Sequence, residues 1–364
     1  MNERSIEFLK RLLSTPGPSG DEAGPARVWR EEAKTFADEV RADVRGNSYA
    51  ILNGVEGAPR VLLAGHIDEI GLMITHVDDE GYLWFAPIGG WDAQVLVGQR
   101  VRLLGKQGDV IGVVGKKAIH LMKPDERDKA SKIEDLWIDI GAKNRDEALA
   151  HVRVGTTGVI DAPVYDFPNG RIVSRSIDNR IGAFTVLEAL RILSPERVEG
   201  RKDAQARPAA TVAAVATVQE EITFAGAHTS AFSFAPQAAI VVDVTHATDH
   251  PDANKRRSGD VKLGGGPVIS RGSAGSPVVF DMLVGLAERE GIPYAVEANP
   301  RTTGTDADAI HLSRGGVATG IISIPNRYMH SPNEMIALSD VENAAKLIAA
   351  FVREVREETG FIPS

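Results

Sequence analysis

Five apolar runs in this chain stop on side chains that can bind a metal, and that pattern restricts the fold more than any other feature. "VLLAG" ends at His66 and Asp68, "IVSRSI" at Asp178, "VAAVATVQ" at Glu220 and Glu221, "AAIVV" at Asp243, and "ISIPNRYM" at His330. "VLLAG" is too continuous for a half-exposed strand and reads as one buried on both faces, as in the sheet of an α/β protein. In open α/β sheets the ligand crevice lies beyond the carboxyl ends of the strands, so side chains scattered in sequence should converge there. The chain contains no cysteine. Any metal must therefore be held by His, Asp and Glu, and two histidines with several carboxylates suit a pair of Zn²⁺, Co²⁺ or Mn²⁺ ions, with Asp178 a candidate bridge.

Each of these residues has a plainer reading when taken alone. A histidine after a strand is commonly a hydrogen-bonded structural residue, and an Asp before Asn-Arg is commonly a helix N-cap, here for a helix starting near Arg180. The adjacent pair Glu220 and Glu221 is harder to explain that way, because two carboxylates leaving a buried strand repel each other unless positive charge lies nearby. His76, His120, His151, His228, His246, His250 and His311 follow no strand-end rule and read as surface, turn or supporting groups.

Helical spacing places helices at residues 3–14 and near 22–38, with "STPGPSGDE" between them. Strands follow at "YAILNG" and "VLLAG". From about residue 70 to 163 the texture is all-β, with short segments such as "RVRLLG", "DVIGVVG" and "LWIDIGA" separated by Gly and Asp turns. A βα rhythm then resumes, with strands at "IVSRSID", "ATVAAVATVQE", "AAIVVDV", "YAVEAN" and "ATGIISIP". Helices alternate with them at "RIGAFTVLEALRIL", "AGAHTSAFSF", "SPVVFDMLVGLAEREG", "TDADAIHLSRGG" and "LSDVENAAKLIAAFVREVREE". The expected organisation is an α/β domain over 1–69 and 164–364, mainly parallel in its sheet, with a β domain inserted at 70–163.

A net charge of -9 argues against nucleic acid, and the basic run "KRR" at 255–257 is too short to follow a phosphate backbone. The N-terminal helix has mixed charges, and no run approaches the ~18 apolar residues of a membrane span. These features suggest a cytoplasmic protein that does not engage membranes.

The motifs "AGHIDEIGLMI", "SIDNRIGA", "VQEE" followed by "AGA", "VVDV", "GTDAD" and "RYMHSPNE" occur in that order, with "TPGPSGDE" near the start. As a set they resemble the M42 family of dinuclear metallo-aminopeptidases, over nearly the whole chain. The resemblance implies a three-layer α/β/α catalytic domain and a PDZ-like barrel. It also implies that His66, Asp178 and Asp243 hold one metal and that Asp178, Glu221 and His330 hold the other, with Asp178 bridging. Asp68 would orient the His66 ring, and Glu220 would be the general base. The substrates implied are short peptides with a free N-terminus. The inserted domain would build homo-oligomers, commonly dimers assembled into a dodecamer.

One segment departs from the family pattern. "EEITFAGA" stands where the family more often has "EEVGxRGA", so Thr223, Phe224 and Ala225 replace a Gly and remove an Arg. Two other functions fit the same residues: an amidohydrolase or deacylase on this scaffold, and a non-catalytic protein keeping a structural metal pair. A glucanase fits less well, since it needs opposed carboxylic acids. "GTDAD" is expected to border the substrate pocket. With no unpaired Arg or Lys beside a motif apart from Arg327, the expected N-terminal residue is neutral and aliphatic.

Overall fold

The structure, a computed structural model, describes residues 1–194 and 207–363. Its main sheet takes strands β1 (Glu39–Ala42), β2 (Ser48–Leu52) and β3 (Arg60–His66) from the first part of the chain. A second group of six short strands follows: β4 (Gly71–Val77), β5 (Leu83–Ile88), β6 (Arg100–Gly105), β7 (Gly108–Gly115), β8 (Trp137–Asp139) and β9 (Thr157–Ile160). They close into a barrel in the order β4-β5-β8-β7-β6-β9, every pair antiparallel. Leu72, Ile74, Leu83, Val101, Leu103 and Ile138 alternate inward to form its separate core.

After the barrel come β10 (Tyr165–Phe167), β11 (Arg171–Ser174), β12 (Thr211–Thr217), β13 (Ala238–His246), β14 (Val268–Gly272), β15 (Ala295–Asn299), β16 (Ala318–Asn326) and β17 (Glu334–Ala337). The main sheet has the order β1-β2-β12-β3-β13-β16-β14-β15. Its centre is parallel, β12 to β3, β3 to β13 and β13 to β16. These four strands therefore deliver their carboxyl ends to one edge.

Burial on both faces explains the continuous apolar runs. Val61 and Leu63 of β3 join one core layer with Phe8, Phe184, Leu283 and Phe351 from the helices Glu3–Ser14, Ile177–Leu193, Pro277–Glu290 and Leu338–Glu354. Leu62 and Ala64 point the other way, to Ala227, Phe234 and Ile310 of the helices Ala225–Phe234 and Ala307–Ile310. The result is a three-layer α/β/α arrangement beside a β barrel.

Three local expectations differ. "IVSRSI" is not a strand of the main sheet, since β11 pairs with β10 and β17 in a small antiparallel sheet of their own. The second helix stops at Ala33, and the "TDADAIHLSRGG" segment forms only the single turn Ala307–Ile310. Among the described residues no helix is long and apolar enough to cross a membrane.

Candidate metal centre

The centre forms where β3 and β13 part. Their pairing runs from Ala238 opposite Val61 to Val241 opposite Ala64, and beyond it the strands open. Asn179 fills the opening, donating its side-chain N–H to the Val242 carbonyl at 2.7 Å and accepting the Gly182 N–H at 2.9 Å. The second bond caps the helix that follows. Asn179, not Asp178, is thus the capping residue, and Asp178 is left to face the strand ends. The close approach depends on glycine: a Cβ on Gly65 of β3 would lie 2.4 Å from the Gly182 carbonyl carbon.

Asp178 accordingly lies between two imidazoles. Its Oδ1 is 3.3 Å from His66 Nε2 and its Oδ2 is 3.4 Å from His330 Nε2. Glu220 Oε2 also faces His66 Nε2, at 3.5 Å, and Glu221 Oε2 faces His330 Nε2 at 3.6 Å. Asp243 comes from β13, which continues past it to His246, so it is a residue within the strand and not its last. Donor atoms of His66, Asp178 and Asp243 lie within 4.8 Å of one another, as do those of Asp178, Glu221 and His330. The structure thus brings six of the singled-out residues into one cluster, with Asp178 in both triads.

Both rings are oriented from behind. His66 Nδ1 faces only acceptors, the Asp68 carbonyl at 3.3 Å and Asp68 Oδ1 at 3.4 Å. His330 Nδ1 lies 2.8 Å from the Gly90 carbonyl. Each Nδ1 must therefore carry a proton, so Nε2 is the nitrogen that faces the cluster, hydrogen-bonded to Asp178 while it is protonated and available as a lone-pair donor once a cation displaces that proton. The fully buried Asp68 also accepts the backbone N–H of Glu220 at 3.2 Å and of Glu221 at 3.3 Å. One carboxylate thus fixes both the His66 ring and the turn bearing the two glutamates.

Crowding shifts the acids in opposite directions. Burial would raise Asp178, but hydrogen bonding to His330 and His66 outweighs it and holds the group well below the usual carboxylate range. Burial, with Asp243, Asp306 and Glu221 nearby, pushes Glu220 up to about 11 against the opposing pull of His66. Burial and Asp178 push Glu221 to about 8. His330 rises to about 9, chiefly through its bond to Asp178. The acids crowd together with too little positive charge beside them to ionise jointly.

Three supporting groups carry no motif-level signal that assigns them a role. Glu334 accepts the Asp178 N–H on Oε2 and the His330 N–H on Oε1, both at 3.0 Å. Gly90 belongs to the loop after β5, so the 70–163 segment reaches the centre itself. Glu69 forms a buried ion pair with Arg175, another with Arg180 at 2.7 Å, and accepts the Gly17 N–H at 3.1 Å. Arg180 in turn donates to the Ile67 and Gly17 carbonyls at 3.1 and 3.3 Å. This network ties "TPGPSGDE", the end of β3 and the Asp178 loop together. Of the remaining histidines, His246 sits exposed at the rim of the same cleft; His76, His120, His151, His228 and His250 are exposed elsewhere, and His311 is half-buried. Phe224, in the departing "EEITFAGA" segment, adopts a left-handed backbone (φ 53°) and lines the cleft.

Solved peptidases share this fold, a mainly parallel α/β/α sheet coupled to a closed β barrel. A TET aminopeptidase from a marine sediment Thaumarchaeota archaeon is 35% identical and superimposes with a TM-score of 0.90 over 97% of this chain and 98% of that one. The TET1 peptidase of Pyrococcus horikoshii, which can assemble into a tetrahedron or a large octahedral shell, is 31% identical with a TM-score of 0.80, over 96% and 99%. A lysyl aminopeptidase of Pyrococcus furiosus is 36% identical over 96% of this chain and 97% of its own length. The model of the M42 glutamyl aminopeptidase family matches residues 46–347. The chain belongs to the M42 family, and it is a peptide hydrolase.

Proposed function

We propose that the protein is a metal-dependent aminopeptidase that releases the N-terminal residue of short peptides at a centre holding two divalent cations, Zn²⁺ or Co²⁺, with Mn²⁺ also compatible. The observation that carries this reading is Asp178, whose two carboxylate oxygens face the two imidazole Nε2 atoms at 3.3 and 3.4 Å. His66, Asp178 and Asp243 hold one cation, and Asp178, Glu221 and His330 hold the other. The residues suit that load. Oxygen and imidazole donors match these metals, and Glu221 Oε1 is buried with no hydrogen-bond partner, an expensive state that a cation relieves.

When bound, two such cations acidify water and polarise the scissile carbonyl. The side chains of the chain do the rest. Glu220, left out of both triads, is protonated while the centre holds no positive charge; with cations bound it would ionise, take the proton from the attacking water and deliver it to the leaving amine as the peptide bond breaks. Asp68 keeps Nε2 of His66 directed at the centre and fixes the backbone of Glu220 and Glu221. We assign residues 1–69 and 164–364 to the catalytic domain and 70–163 to an inserted domain. That insert serves assembly into dimers and a dodecamer, a reading supported by the likeness to the tetrahedral TET1 peptidase, and Gly90 links it to the catalytic centre.

Exhaustive chelation should abolish hydrolysis of an aminoacyl p-nitroanilide panel, and Zn²⁺ or Co²⁺ should restore it. Full activity in a metal-free sample would overturn the reading. The native protein should sediment well above the mass of one chain.

A further inference from the structure

The metal-ligand cluster occupies one side of a cleft of about 420 Å³. On the other side are Thr245, His246, Glu297, Thr303, Gly304 and Thr305. Asp243 and Thr245 are two residues apart on β13, so their side chains share a face about 7 Å apart along the strand. The Thr245 hydroxyl donates to Glu297 Oε2 at 3.3 Å. Glu297 is half-buried on β15, the edge strand, and reaches the cleft from more than fifty residues beyond Asp243 in the chain.

Charge separates this wall from the rest of the cleft. Among the described residues no Lys or Arg lines the cleft and Glu297 has no ion-pair partner. Arg327, in the "RYMHSPNE" motif, is engaged by Asp249: its Nε lies 2.8 Å from Oδ1 and its Nη2 2.7 Å from Oδ2. It is therefore not free to receive an acidic substrate. Glu297 is then a carboxylate in the same cleft that belongs to neither triad and is reached from Asp243 through Thr245.

We infer that Glu297 is a specificity-determining residue that selects peptides with a basic N-terminal residue, Lys or Arg. The inference rests on the aminopeptidase reading of the same cleft. The four-carbon stem of lysine spans from the cluster past Thr245, and its ammonium meets the Glu297 carboxylate that Thr245 holds in place. A leucine side chain leaves that carboxylate unanswered, and a glutamate side chain meets like charge. This differs from the neutral aliphatic preference expected from the motifs, because a carboxylate contributed by a distant edge strand leaves no mark beside them.

The test compares kcat/KM of the metal-loaded enzyme on Lys-, Arg-, Leu- and Glu-p-nitroanilide. Lys and Arg should be hydrolysed best and Glu worst. Glu297→Gln should lower the Lys-to-Leu ratio about tenfold or more, with the loss carried mainly in KM, and Glu297→Lys should raise the Glu-to-Lys ratio. Wild-type enzyme that prefers Leu to Lys, or a ratio unchanged in Glu297→Gln, would overturn the role of Glu297 and leave the aminopeptidase reading standing. Failure to hydrolyse any of the four would overturn both.

Discussion

Glu221 turns Oε2 toward His330 Nε2 at 3.6 Å while its Oε1 stays buried without a partner. In the metal-free protein the two groups share the same defect: burial and Asp178 push Glu221 up to about 8, and the bond to Asp178 pushes His330 to about 9. Both values lie above 7, so both groups hold protons at neutral pH. A cation must expel those protons to bind. Calorimetric titration of metal-free protein with Zn²⁺ at pH 7 should therefore show proton release as a heat that depends on the buffer's ionisation enthalpy. The affinity should rise from pH 6 to 8, and the release should shrink near pH 9. A buffer-independent heat at pH 7 would contradict this account.

Glu334 fixes two of the proposed ligands through their backbone, and His330 adopts a left-handed conformation (φ 59°) that its own sequence does not favour. Glu334→Ala should weaken metal binding by about 10- to 100-fold, the usual effect of removing a partner that orients ligands. Glu334→Gln, which keeps an acceptor, should lose less. Competition with a chromogenic chelator measures both; an alanine variant binding as tightly as wild type would show that the loop holds itself.

Glu69 neutralises two buried guanidiniums, Arg175 and Arg180. Glu69→Ala leaves both charges buried without it and should cost about 3–5 kcal/mol of unfolding free energy. Urea denaturation of metal-free protein separates this effect from metal linkage. A loss below about 1 kcal/mol would mean that the carbonyls around Arg180 suffice.

Much of the centre was legible because a strand buried on both faces announces its own end. His66, Asp68, Glu220 and Glu221 follow runs that cannot continue as core, and the mainly parallel sheet carries them to one edge. Asp178 was legible as a residue but not in its setting. "IVS" is as apolar as a central strand, yet β11 pairs with β10 and β17 outside the main sheet while Ile172 packs into the main core, and pairing partners are not visible in a local pattern. Asp243 looked terminal because polar residues follow it, although β13 stays hydrogen-bonded to β16 as far as His246. Glu334, Gly90 and Glu297 carry no such signal, for a common reason. Each acts through a contact made by loop closure or by a distant strand, and neither spacing nor periodicity records such contacts.

The most direct test of the central claim lies in two adjacent glutamates given opposite roles, since both carboxylates face an imidazole Nε2, Glu220 at 3.5 Å and Glu221 at 3.6 Å. Metal content and kcat should be measured for Glu220→Gln and Glu221→Gln, chemically identical changes one residue apart. Glu220→Gln should keep both metals and lose turnover by a factor on the order of 10² to 10⁴. Glu221→Gln should weaken or lose one metal, and excess metal should partly restore its rate. A Glu220→Gln protein that lost a metal, beside a Glu221→Gln protein that kept two, would contradict the account.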